Sequence, residues 1–117
     1  MNSQSRKLLF DALESARSIR SWCADRTFAQ YEVDRQFRRA VEREFEIIGE
    51  ALGRLARADP ATADRITELP RIVGFRNRII HGYDTVDDAT VWGIIGAHLP
   101  RLETDVESLL NEAGEDV

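Results

Sequence analysis

The sequence predicts an all-α fold, an antiparallel four-helix bundle with a short extra helix or turn between the first two long helices. Three observations predict it. Nearly every long segment repeats its apolar residues with helical period, and no segment alternates with period two. The breaks between those segments are short and carry capping residues or proline. The chain is 117 residues long, 43% hydrophobic and 32% charged, which suits one small domain over 1–117 with a single core.

In the first helix, over about residues 4–23, Leu9, Leu13, Ala16 and Ile19 recur at spacings of four and three. The connector "DRTFAQYEVD" has room for one short helical turn. Asp34 is an N-cap candidate for a long second helix marked by Phe37, Val41, Phe45, Ile48, Leu52 and Leu55. Gly49 in "IIGEAL" reads as a close helix–helix contact, since glycine otherwise costs stability inside a helix. "RADPATADRITELP" is a break: Pro60 stops one helix and Pro70 sits where the next begins. The third helix runs from about Pro70 to Ile80, with Gly82 able to close it in a left-handed conformation. Asp87 or Asp88 caps the fourth, whose stripe is Val91, Ile95, Leu99, Leu102, Val106 and Leu109, and Pro100 inside it predicts a kink. The tail from about residue 111 is expected to fray.

Cys23 is the only cysteine, so no intrachain disulfide forms, which suits a reducing cytosol. The first residues lack the apolar run of a secretory signal, and "VWGIIGA" is far too short to span a bilayer. A cytoplasmic protein with no membrane partner is expected. The net charge of −5 argues against a broad basic coat and against DNA binding. The charge is unevenly spread, however. Residues 84–117 hold nine acidic side chains and only Arg101 as a base, whereas 65–81 hold four arginines and one glutamate, Glu68. A small local anion site is compatible with that distribution.

At about 100° per residue, "PRIVGFRNRIIH" gathers Ile72, Val73, Phe75, Ile79 and Ile80 on one half of the helix and places Arg76 among them. A guanidinium stays charged and is costly to desolvate, so something must meet it: a carboxylate such as Glu44 or Glu50, a second subunit, or an anionic ligand. His81 follows at the helix end, and the reference pKa of histidine lets it give or take a proton near neutrality. Tyr83 stands just beyond. An arginine for phosphate charge and a histidine for proton transfer suffice for RNA cleavage without a metal. Two histidines and no spaced Cys/His/Asp cluster make a metal site the weaker reading, and no cofactor is expected. His98 reads as a partly buried structural histidine. Trp22, Trp92, Phe37 and Phe45 read as core or dimer aromatics, and "RQFRRAVERE" as a solvated charged face with helical ion pairs.

Arg76, four residues, His81, one residue and Tyr83 make an R-x4-H-x-Y motif that resembles that of HEPN-domain ribonucleases. More narrowly, "AVEREFEIIGEAL", "FRNRIIHGYDTVD" and "VWGII", in that order, resemble the HepT toxins of HepT/MntA toxin–antitoxin systems, from the first helix to about Leu110. The resemblance implies a HEPN bundle that pairs as a homodimer, with both motifs at one RNA cleft. It implies Arg76 and His81 as the catalytic pair, and Asn77 at the polar position after the arginine. It also implies a type VII-like system in which an MntA-like nucleotidyltransferase antitoxin transfers AMP to the motif tyrosine, Tyr83. The alternative is a non-catalytic helical module that docks such a nucleotidyltransferase.

Overall fold

The computed structural model describes residues 1–82 and 86–117. Among them are seven helices and no strand: α1 (Ser3–Cys23), α2 (Phe28–Val33), α3 (Arg35–Ala58), α4 (Pro60–Ala63), α5 (Leu69–His81), α6 (Asp88–Ala97) and α7 (Leu99–Glu112). The all-α bundle expected from the periodicity is present, with α1, α3, α5 and the α6–α7 pair as its long members.

Side chains set most of the boundaries. Asn2 Oδ1 accepts from the Ser5 amide at 2.8 Å, and Asp34 Oδ1 accepts from the Phe37 amide at 3.0 Å. Asp87, rather than Asp88, caps α6 by accepting from the Thr90 amide at 2.7 Å. The connector turn is α2, opened by a capping box in which Thr27 and Gln30 satisfy each other's backbone amides at 3.2 and 2.9 Å. The "RADPATA" break contains one further helical turn, α4, because Asp59 caps it and Pro60 needs no intrahelical donor at its first position.

The expected kinked fourth helix is two helices. Pro100 has no N–H to offer the Gly96 carbonyl and its ring crowds that carbonyl, so α6 ends at Ala97. Residue 98 bridges to α7, its amide donating to the Ile94 carbonyl at 2.9 Å and its carbonyl accepting from Leu102 at 3.1 Å. Beyond Glu112 the last residues lie against α1: Arg6 is 3.6 Å from Glu115, and Arg17 donates to the Val117 carbonyl at 3.2 Å.

Helix directions follow from cross-helix contacts. Ser5 near the start of α1 donates to Asp59 just past the end of α3 at 2.8 Å, and Ser15 donates to Glu44 at mid-helix at 3.2 Å, so α1 and α3 are antiparallel. Arg6 meets Glu115 while Arg20 pairs with Glu103, so α1 and α7 are antiparallel too. The core between them buries Leu9, Ile19, Ile48, Leu52 and Val106 completely. α2 pins its corner with Tyr31, fully buried, whose ring meets Phe37 edge-on at 5.4 Å and Trp92 at 5.3 Å. Trp22 lies on the surface instead, 39% exposed, because it falls off the α1 stripe. On α3 the charged face pairs at i,i+3, Arg39 with Glu42 at 3.0 Å and Arg43 with Glu46 at 3.1 Å. Among the described residues, no helix is long and apolar enough to cross a membrane.

Candidate active site

α5 carries the motif, and its packing on α3 determines where each motif side chain goes. Phe75 and Ile79 are buried, and the Phe75 ring meets Phe45 of α3 edge-on at 5.2 Å. Two glycines of α3 receive α5. A Cβ built on Gly53 would lie 3.9 Å from the Val73 methyls, an ordinary contact. A Cβ built on Gly49 would overlap Arg76 Cβ and lie 2.5 Å from Arg76 Cγ. Because 49 pairs with 76 while 53 pairs with 73, α5 runs antiparallel to α3.

The Arg76 stem therefore rests on bare α3 backbone, which is how a long cationic side chain fits within an apolar arc. Its Nε is buried without a hydrogen-bond partner, and its Nη1 donates to Asn77 Oδ1 at 2.9 Å. The carboxylates expected to meet it do not. Glu44 is engaged by Ser15 of α1, and Glu50 by Arg54 at 2.9 Å on the exposed side of α3. Among the described residues no carboxylate lies within ion-pair distance of Arg76; the group that meets its Nη1 is the neutral Asn77 amide.

His81 is the last residue of α5, exposed, and its side chain makes no hydrogen bond or ion pair with the described residues. Gly82 ends the helix with φ −137°, not in the left-handed form expected, and its amide donates to the Arg78 carbonyl at 2.9 Å. Arg76 and His81 are five residues apart, so they point about 140° apart around the helix axis. Tyr83, with Asp84 and Thr85, lies outside the described residues. At the start of α6, the Thr90 hydrogen bonds hold the Asp87 carboxyl below the usual aspartate range, helped by the Arg78 charge.

The other face of α5 borders a cleft of about 410 Å³ between α5 and the α6–α7 pair. Its floor includes Phe45, Ile48, Phe75 and Leu99, and its rim includes Arg71, Arg78, Arg101 and His98. The four arginines of residues 65–81 are thus divided: Arg71 and Arg78 stand on this rim, Arg76 rests on α3, and Arg65 pairs with Glu112 at the end of α7. Arg101 joins the rim although it stands alone as a base in an acidic stretch. His98, expected to be partly buried, is instead on the surface, with 52% of its side chain exposed and Nδ1 3.7 Å from Glu68. The helix break at Pro100 takes it off the apolar stripe. Glu68 itself is the one non-glycine with positive φ among the described residues, at 57°, a strained conformation from which α5 starts. Among the described residues, no group of three or more His, Cys, Asp or Glu side chains is placed to hold a metal ion.

Fold and motif define the class first: an all-α, HEPN-like bundle with an arginine and a histidine on the last turns of one helix. Comparison with known proteins then gives the family. The chain belongs to the HepT-like ribonuclease family, which matches residues 12–109. Relatives named "Putative RNase" include two from Methanocaldococcus jannaschii. One is 28% identical over 117 residues, covering 95% of this chain and 92% of the relative. The other is 33% identical over 101 residues, covering 85% and 90%. A third, from Caldanaerobacter subterraneus, is 31% identical over 88 residues, covering 74% and 76%. No solved structure matches the chain significantly.

Proposed function

We propose that this protein is a metal-independent endoribonuclease, the toxin of a type VII-like toxin–antitoxin pair, with Arg76 and His81 as its catalytic residues. The observation that carries the reading is Arg76: a guanidinium held on bare backbone, with no carboxylate within reach among the described residues and its Nη1 fixed by Asn77. Such a charge is suited to an anionic ligand. Membership of a ribonuclease family makes an RNA phosphate the best candidate.

In the proposed reaction a ribose 2′-oxygen attacks the adjacent phosphorus and the bond to the 5′-oxygen breaks, leaving a cyclic phosphate and a 5′-hydroxyl. His81 takes the 2′-hydroxyl proton or supplies one to the leaving 5′-oxygen. Arg76 stabilises the charge that grows on the non-bridging oxygens. The divergence of the two side chains by about 140° supports a homodimer in which two α5 ends share one cleft. Ile80, 37% exposed next to Arg76 on the wheel, is an apolar contact for the second copy.

Control is proposed to act through Tyr83. A cognate nucleotidyltransferase joins its phenolic oxygen to the α-phosphorus of ATP and releases pyrophosphate. The AMP then sets a phosphate beside Arg76 and blocks the scissile group. The test is to incubate the purified protein with cellular RNA in EDTA. Wild type is expected to cleave. His81→Ala is expected to lose about 10²–10⁴-fold, and Arg76→Ala about 10²–10³-fold. Cleavage abolished by EDTA but retained by His81→Ala refutes the mechanism and favours the non-catalytic module.

A further inference from the structure

We propose that Gly49 of α3 is a positioning residue: it is the socket that sets how far the Arg76 guanidinium reaches, and so its alignment with the phosphate. The inference deepens the ribonuclease reading and rests on it for its kinetic part alone.

The argument is steric. α3 and α5 cross with two glycines at their contact, Gly49 and Gly53, a turn apart on α3. They are not equivalent. Around Gly53 the nearest atoms to an added Cβ are 3.8–3.9 Å away, so alanine is accommodated there. Around Gly49 the same atom meets the root of Arg76: it overlaps Cβ, is 2.5 Å from Cγ and 3.4 Å from Cδ. Overlap at the far end of an arginine would be relieved by rotation. Overlap at Cβ is relieved only by moving the backbone, since rotation about χ1 shifts Cγ and the atoms beyond it but leaves Cβ in place, and a shift of α5 carries the guanidinium with it.

The size of that movement can be bounded. Ordinary carbon contact begins near 3.4 Å, so Cγ must retreat by about 0.9 Å from its 2.5 Å position. Arg76 has little freedom to compensate. Its Nε is buried, and its Nη1 is tied to Asn77, the next residue on the same helix, which moves with it. A displacement of about 1 Å in a charge-stabilising group costs about 10²-fold in rate. Because the guanidinium acts mainly on charge that develops in the transition state, the loss should fall on kcat more than on KM.

The experiment compares Gly49→Ala, Gly53→Ala, Arg76→Gly and the double variant Gly49→Ala/Arg76→Gly. Two readouts are taken, thermal midpoint and RNA-cleavage kinetics. Gly49→Ala is expected to lower the midpoint by several degrees and kcat by about 10²-fold with KM changed less than threefold. Gly53→Ala is expected to keep both rate and fold, since it only improves helix propensity. In the Arg76→Gly background the Gly49→Ala penalty should disappear, because the overlapping atoms are gone. If Gly49→Ala alone does not fold, recovery of folding in the double variant is the expected result.

The stability cycle judges the socket whether or not RNA is cut. A wild type that cuts no RNA refutes the ribonuclease reading and leaves the cycle to decide the contact. Equal behaviour of Gly49→Ala and Gly53→Ala in both readouts, or a penalty that persists in the Arg76→Gly background, overturns the proposal.

Discussion

Replacing Arg20 by methionine keeps an unbranched stem along α1 but removes the cation that meets Glu103. Glu103 is 7% exposed on the face of α7 that packs against α1, among Leu102, Val106 and Leu110. Among the described residues Arg20 is the one ion-pair partner of that carboxylate, and 46% of its own side chain is exposed. Breaking a fully buried pair costs about 3–5 kcal/mol, because the remaining charge is stranded. Here the arginine side is half open to water, which can follow the vacated path and solvate the carboxylate. The cost should therefore be nearer 2 kcal/mol. For a domain of this size that is a fall of about 8 °C in thermal midpoint. The companion change, Glu103→Leu, puts an apolar residue into an apolar site and strands only a surface arginine. It should be neutral within about 1 kcal/mol, and Arg20→Met/Glu103→Leu should recover most of the loss. Thermal and urea unfolding of the four proteins measure the cycle. An Arg20→Met midpoint within about 2 °C of wild type, or a double variant no better than Arg20→Met, refutes the view that this carboxylate depends on its partner.

Three further expectations can be tested. Burial pushes the Cys23 thiol up to about 11 from 9.0 against the pull of Arg26, so its thiolate fraction at pH 8 is about a hundredfold lower than in the unfolded chain. Alkylation at pH 8 should be at least that much slower in native than in urea-unfolded protein, and equal rates would refute the burial. Hydrogen bonds from Thr62 and then Ser5 hold the Asp59 carboxyl below its ordinary 3.8. Its stabilising contribution is therefore present above that pH and lost as pH falls through the lower folded value. Protection factors of amides in α4 and the start of α1 should fall as pH drops below about 4, and Asp59→Asn should flatten that fall; an unchanged profile refutes it. Finally, Tyr83→Phe should still cut RNA but escape silencing by the cognate nucleotidyltransferase with ATP and Mg²⁺. An adduct found by mass spectrometry on another residue refutes the tyrosine as its acceptor.

The helices and their caps were legible in the sequence because they are local matters. Asp34 and Asp87 cap amides three residues away, and the α1 and α3 stripes need only the period of the helix. The motif was legible for the same reason, since Arg76, Asn77 and His81 share one helix. Three things were not, because each depends on which helices meet. Glu44 and Glu50 stand on the right helix to reach Arg76, but Ser15 of α1 and the neighbouring Arg54 take them. His98 fits the stripe of one continuous helix, yet Pro100 denies the Gly96 carbonyl its donor and turns the histidine outward. Gly49 announces a close approach, but a glycine cannot say what approaches. Only the antiparallel packing of α5 on α3 puts the root of Arg76 against it, where no side chain at 49 leaves that arginine room.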